Sequence, residues 1–258
     1  MLITRMCRLR RYINSLLEEE VRNKRMAEEK ARRFIQSSDM PDSQAYCANY
    51  GAHRPGMSMR EVAEYYSKWA SEYEHDLSQD RYLGPFYACK AVAEEYPITS
   101  TDRKSVRILD VACGTGFLGE KLRAEGFATV DGLDPSDKML EVARKKQIYS
   151  ELYCEFMSAS ALPITNDKYA CVVVAGGMGE GHIPCAAVPE MVRIVQPGGY
   201  VIIVMREEYL THVQEYAGRL EECFLKLQNE GKWKRCSRAV VPKYSFDNNG
   251  VIFKFKVC

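Results

Sequence analysis

The stretch Ile108-Leu-Asp-Val-Ala-Cys-Gly-Thr-Gly-Phe-Leu-Gly119 constrains this 258-residue chain more than any other. An apolar run passes a carboxylate, Asp110, enters a glycine-rich turn, and continues into residues with Leu118 and Leu122 at helical spacing. That pattern is a strand, a tight turn and a helix, with glycines where backbone bends sharply or lets a ligand approach. A second acid, Asp134, ends the next apolar run, where a carboxylate reaches ribose hydroxyls.

Two kinds of ligand suit such a turn. Gly114, Gly116 and Gly119 satisfy the G-x-G-x-x-G spacing of dinucleotide sites, in which a pyrophosphate sits at the helix N-terminus. Asp110, four residues before the first glycine, would repel that anion. S-adenosylmethionine carries no phosphate but has an α-ammonium and a sulfonium, and for it an acid beside the loop is favourable. The residues favour this second ligand and leave the dinucleotide as an alternative.

From residue 106 onward strands and helices alternate, the pattern of a parallel sheet covered on both faces. Strands are expected over 106–111, 130–133, 153–157, 169–175 and 200–205, with helices over 118–125, 135–146 and 186–194 between them. A long amphipathic helix is expected over 209–229, and a closing pair of strands over 233–241 and 251–257 joined through Asp247-Asn-Asn-Gly250. The continuous apolar run 169–175 reads as a central buried strand. It ends in Gly176-Gly-Met-Gly-Glu-Gly-His182, at the carboxyl edge where ligands bind in such sheets. Glu180 and His182 are therefore the candidate proton carriers, and Gly176 and Gly177 candidate cofactor contacts.

Upstream, Ser58 and Glu61 have capping-box spacing, and Val62, Tyr65, Tyr66, Trp69 and Tyr73 recur at helical intervals. Aromatic faces suit a sulfonium, so Tyr66, Trp69 and Tyr73 are candidates for the methionine end as well as for packing. His53 reads as a surface histidine. Residues 1–36 read as a charged helix, acid-free before Glu18, with a solvated face, a mitochondrial presequence or an RNA-contacting arm as its alternatives. Residues 37–56 read as a linker, 57–97 as helices capping the core, and 105–258 as the core itself.

A net charge of +1 gives no bulk drive toward nucleic acid or membrane, and no apolar run reaches the roughly 18–20 residues of a spanning helix. Ten cysteines without a C-x-x-C pair offer no metal-ligand spacing and read as reduced thiols of an intracellular, expectedly cytoplasmic, protein. Cys185 lies too far past the 169–175 strand to serve as a nucleophile, and Arg206, just past the fifth strand, is open to a substrate acid or a salt bridge.

Leu109-Asp-Val-Ala-Cys-Gly-Thr-Gly116, Gly132-Leu-Asp-Pro-Ser136 with Met139-Leu140, and Gln196-Pro-Gly-Gly199 together resemble the motifs of class I S-adenosylmethionine-dependent methyltransferases. Tyr65-Tyr-Ser-Lys-Trp-Ala-Ser-Glu-Tyr73, Gly179-Glu-Gly-His-Ile-Pro-Cys185, Val188-Pro-Glu190 and Gly231-Lys-Trp233 further resemble the methyltransferase-like proteins of the Williams–Beuren syndrome critical region. The resemblance implies an α/β Rossmann-like seven-stranded sheet with helices on both faces. It implies S-adenosyl-L-methionine over the glycine loop, with Asp110, Ala112, Cys113, Gly114 and Gly116 toward the methionine moiety and Asp134 on the ribose. Pro135, Ser136 and Met139 would border the adenine, with Ser158 and Ala159 reading its edge. Where Ser158 stands, related methyltransferases often carry an acid. The expected acceptor is a small molecule, because no target-recognition domain is visible. A protein or RNA acceptor, and a cofactor-binding protein acting through partners, are the alternatives.

Overall fold

The computed structural model describes residues 41–78 and 80–258. The chain divides into two compact units, Met1–Asn49 and Tyr50–Cys258. The charged helix expected over 1–36 lies outside the described residues. Helix α1, Pro41–Gly51, occupies much of the stretch whose composition reads as a linker. Ala45 and Ala48 are strong helix formers, and they sit in it beyond the single breaker Pro41.

The second unit is organised on a seven-stranded sheet in the order β3-β2-β1-β4-β5-β7-β6. Its strands are β1 Arg107–Val111, β2 Thr129–Leu133, β3 Leu152–Tyr153, β4 Tyr169–Ala175, β5 Val195–Arg206, β6 Trp233–Ser245 and β7 Asn248–Val257. The first five run parallel, while β7 is antiparallel to β5 and to β6. The strand order reverses between β1 and β4, so a crevice opens at their carboxyl ends.

Alternation along the central strands feeds two cores. Val172 and Val174 join Leu109, Val111, Val201 and Ile203 on one face. Cys171 and Val173 join Ile108, Val130, Ile202 and Val204 on the other. This double burial is why residues 169–175 read as an unbroken apolar run. Helices α2 Met59–Trp69, α3 Tyr73–Asp76 and α4 Gly84–Glu95 precede the sheet. Helices α5 Phe117–Ala124, α6 Asp137–Lys145, α7 Val188–Arg193, α8 Tyr209–His212 and α9 Leu220–Asn229 lie between its strands. The Ser58–Glu61 capping box forms at the start of α2.

Three elements differ from the sequence expectation, each for a local reason. The strand expected over 153–157 shrinks to Leu152–Tyr153, because only Gly132 and Leu133 are there to pair with it. The chain then leaves the sheet and turns Phe156 and Met157 toward a cavity. The single helix expected over 209–229 is broken into α8 and α9, with Gly218 in the left-handed region at φ 69°. Within the break Tyr216 turns inward, donating from its hydroxyl to Ile183 O at 2.7 Å and accepting from Gly179 N at 3.0 Å. The closing hairpin turns earlier than expected, at Phe246 and Asp247, with Ser245 paired to Asn248. A register shift between Val241 and Ser245 there bulges β6 and carries Tyr244 into the core.

Candidate functional site

At the carboxyl ends of β1, β2 and β4 a cavity of about 670 Å³, part of it open to solvent, lies under helix α2. Most of its wall is apolar, as in sites that take small molecules. Ten of the residues expected at a cofactor or substrate site line it: Tyr66, Tyr73, Ala112, Gly114, Asp134, Pro135, Met139, Gly176, Gly177 and His182.

The glycine loop explains its own composition. Ala112 (φ 57°), Gly114 (φ 53°) and Gly116 (φ 100°) all take left-handed backbone, costly at Ala112. The space a Cβ would occupy at Gly114 is open, and this is the glycine that faces the cavity. Gly116 and Gly119 serve another purpose. A Cβ on Gly116 would stand 2.7 Å from Ile148, and one on Gly119 2.5 Å from the ring of Tyr149. They make room for a tyrosine packed against the loop.

That tyrosine also holds Asp110. The carboxylate is 1% exposed, does not line the cavity, and accepts the Tyr149 hydroxyl at 2.7 Å. Burial, reinforced by the charge of Asp134, pushes its carboxyl up to about 7 against the pull of the Tyr149 hydrogen bond. Asp110 thus anchors Tyr149 against the glycine loop. Cys113 is buried beside the α-carbon of Gly132, also outside the cavity.

Asp134 sits at the cavity wall, 7% exposed, with both oxygens oriented by backbone. Its Oδ2 accepts from Gly114 N and its Oδ1 from Ser136 N, each at 2.9 Å. The same carboxylate therefore joins the glycine loop to the start of α6. Burial pushes its carboxyl up to about 6, while the Ser136 and Gly114 N–H groups pull it down. The neutral form is favoured in the fold, so this group's contribution to stability is complete below about pH 4 and is lost as pH rises through about 6. A hydroxyl donates most strongly to the ionised carboxylate. Affinity for S-adenosylhomocysteine is therefore expected to rise between pH 5 and pH 7.5, and Asp134→Asn to flatten that rise; calorimetric titration across this pH range checks both.

Several expected residues stand behind the wall. Ser136 caps α6, accepting from Met139 N at 3.2 Å, and is bonded to Ser67 of α2 at 2.8 Å. Trp69 backs Tyr66 and Tyr73, and its indole N–H donates to Asp76 at 2.7 Å. Ser158 accepts from Ser160 N at 3.2 Å in a local turn, and Ala159 is exposed, so neither lines the cavity. Phe156 and Met157 take the place beside Pro135 and Met139 where an adenine edge was expected. Their role was hidden by reading them as strand. Met59, Val62 and Ala63 were also missed, although Val62 lies one helical turn before Tyr66 on the same stripe.

The two expected proton carriers are engaged elsewhere. The Glu180 carboxylate turns from the cavity and accepts from Gly56 N at 3.0 Å. His182 lies 2.7 Å from Glu180 O through Nδ1 and 3.1 Å from the Tyr66 hydroxyl through Nε2. A carbonyl only accepts, so Nδ1 carries the proton and Tyr66 donates to Nε2. Burial holds the imidazole down to about 4, against the raising effect of the Glu180 carbonyl. His53 is half-buried rather than freely exposed: it stacks on His182 with ring centroids 4.5 Å apart. A Cβ on Gly179 would meet His53 Nδ1 at 2.7 Å, so that glycine admits the pair. The Cys185 thiol donates to Glu215 O at 3.1 Å and is pushed up to about 12 by burial, unlike a reactive nucleophile.

The seven-stranded sheet, with its reversed strand order and antiparallel closing pair, is the class I methyltransferase fold, and a methyltransferase-domain family model matches residues 108–199. The chain belongs to the class I S-adenosylmethionine-dependent methyltransferases. Among them, it is 32% identical over 170 residues to methyltransferase-like protein 27 of Homo sapiens, covering 66% of this chain and 67% of the human one. It is 36% identical over 99 residues to a demethylmenaquinone methyltransferase of Clavibacter sepedonicus, 38% of this chain and 40% of that enzyme's length. The solved structure of the [4+2]-cyclase SpnF shares the fold with a TM-score of 0.59 at 15% identity, over 80% of this chain and 98% of that one. Among the described residues, no helix is long and apolar enough to cross a membrane, and no group of three His, Cys, Asp or Glu side chains is placed to hold a metal ion.

Proposed function

We propose that the protein transfers the methyl group of S-adenosylmethionine to a small molecule bound in the cavity under α2. The residues present suit the cofactor. The space beside Gly114 admits the methionine moiety, the Asp134 carboxylate retains lone pairs for ribose hydroxyls, and Leu133, Pro135, Met139, Phe156 and Met157 supply an apolar bed for the adenine. When bound, the cofactor supplies an electrophilic methyl group carried on a sulfonium.

The chain's own part is chiefly positional. Holding two reactants in line accounts for much of the barrier reduction open to such a site. The roof is fastened at its rim for that purpose. Tyr66 bonds His182, Ser67 bonds Ser136, and Lys146 bridges Glu74 of α3 and Glu120 of α5 at 2.6 and 2.9 Å. One observation carries the small-molecule reading. Side chains of α2 and α3, among them Met59, Val62, Ala63, Tyr66 and Tyr73, roof the cavity. The similarity to a demethylmenaquinone methyltransferase supports it.

The test is incubation of the protein with methyl-labelled S-adenosylmethionine and a cell extract separated into small-molecule, protein and RNA fractions, after calorimetry with S-adenosylhomocysteine. Label in the small-molecule fraction is the expected result. Label confined to protein or RNA would overturn the acceptor class, and no binding of S-adenosylhomocysteine by folded protein would overturn the cofactor assignment.

A further inference from the structure

The end of the cavity under α2 and α3 is built from tyrosines. Tyr66 and Tyr73 line it, their rings 6.1 Å apart. Tyr82 and Tyr244 lie beyond Gly176, with hydroxyls 3.4 Å apart. The fold makes room for this second pair with three glycines. A Cβ on Gly84 would stand 2.4 Å from the Tyr82 ring, one on Gly250 2.7 Å from Tyr244, and one on Gly176 2.2 Å from the Tyr82 hydroxyl. Gly176 itself lines the cavity, so the Tyr82 hydroxyl stands at its edge.

The chemistry of this end is one-sided. The Tyr73 hydroxyl has no hydrogen-bond partner among the described residues, and that of Tyr82 has only its long contact to Tyr244. Burial raises all four phenols, so each keeps its proton to donate. Arg206, paired with Glu208 at 3.3 Å and Ser245 at 3.1 Å, adds positive potential felt at Tyr244 and His53. Asp134, whose charge reaches Tyr66 and Tyr73, is the one carboxylate in the cavity wall among the described residues, and the lone pair of His182 is taken by Tyr66. With Asp134 held by two backbone N–H groups and, on the proposed reading, by the ribose, an ammonium acceptor would find no free counter-charge here, and a neutral alcohol no free base.

We infer that the methyl acceptor is an oxygen anion, a carboxylate or an acidic enol or phenol that is ionised before it enters, received by the hydroxyls of Tyr73 and Tyr82. The inference rests on the reading of the cavity as a methyltransferase site. An oxygen lone pair forms the new C–O bond while the C–S bonding pair passes to sulfur. The negative and positive charges cancel, giving a methyl ether or ester and a neutral thioether. No proton moves, which agrees with a site whose two candidate bases are otherwise engaged.

The test uses protein loaded with S-adenosylhomocysteine and three probes, 4-nitrophenol, benzoate and benzylamine. Bound 4-nitrophenol is expected to show its phenolate absorption band at a pH at least one unit below that of the free dye. Benzoate is expected to compete with it and benzylamine not. Tyr73→Phe combined with Tyr82→Phe should reduce the shift to less than half. A dye bound as the neutral phenol, tighter binding of benzylamine than of benzoate, or no binding of either oxyanion would each overturn the inference. Calorimetry with S-adenosylhomocysteine on the same samples separates the two levels. Failure to bind it counts against the methyltransferase site, whereas binding it without favouring an oxyanion counts against the acceptor alone.

Discussion

Asp134→Ala is expected to raise the dissociation constant for S-adenosylhomocysteine roughly 30- to 150-fold, about 2–3 kcal/mol, the scale of lost charge-assisted hydrogen bonds. The effect is large because one side chain does two things. Its oxygens hold Gly114 N and Ser136 N at 2.9 Å, setting the loop against the start of α6, and its remaining lone pairs face the cavity where ribose hydroxyls are proposed. Alanine would leave both N–H groups unpaired in a buried place. Asp134→Asn should fall between wild type and alanine, since an amide presents one acceptor and must turn an NH2 toward one of the two backbone donors. Isothermal calorimetry on samples with matched circular dichroism decides the matter. An unchanged constant in a folded alanine variant would remove Asp134 from the site.

The largest effect on stability is expected from Trp233→Ala, far from the cavity. Trp233 is 1% exposed and stacks on Phe255 with centroids 4.0 Å apart and planes 10° apart. Phe224 of α9 meets both rings, and the indole N–H donates to Phe224 O at 3.0 Å. Trp233 thereby ties the edge strand β6 to α9 and to β7. Truncating a large buried aromatic costs about 3–5 kcal/mol. For a unit of this size that is a fall in Tm of roughly 6–20 °C. Trp233→Phe should cost far less, losing one hydrogen bond and part of the stack. A thermal melt of the alanine variant within about 3 °C of wild type would show that the edge does not depend on this cluster. Trp233 does not line the cavity, so binding of S-adenosylhomocysteine at low temperature should be preserved.

What the chain's letters disclosed and what they hid separates by range. The strand, glycine turn and helix at 108–119 were legible because period and turn chemistry are local, and Asp134 because its spacing follows from one βαβ unit. The aromatic stripe from Val62 to Tyr73 was legible for the same reason. Tyr149, Tyr82, Tyr244 and His53 were not. Each comes from a connection or a bulge, and its place depends on partners far away in sequence, such as Gly119 for Tyr149 or Gly176 for Tyr82. The packing of Asp110 and Gly116 against Tyr149 was hidden for a related reason. The motif marks a loop near the ligand, but only packing shows which of its residues turn inward toward Tyr149. The break at Gly218 escaped because the pattern on either side is helical, and the interruption is set by Tyr216 reaching across to Gly179.

The bulge that carries Tyr244 inward has an evolutionary consequence. The end of the cavity proposed for the nucleoside is drawn mainly from the contiguous stretch between Val111 and Met157, whereas Tyr244 arrives from a hairpin at the far edge of the sheet. Changes of length or sequence in that hairpin reshape one end of the chamber without passing through the other. On the proposed reading, a change in that hairpin alters what is methylated while the grip on the methyl donor stays the same.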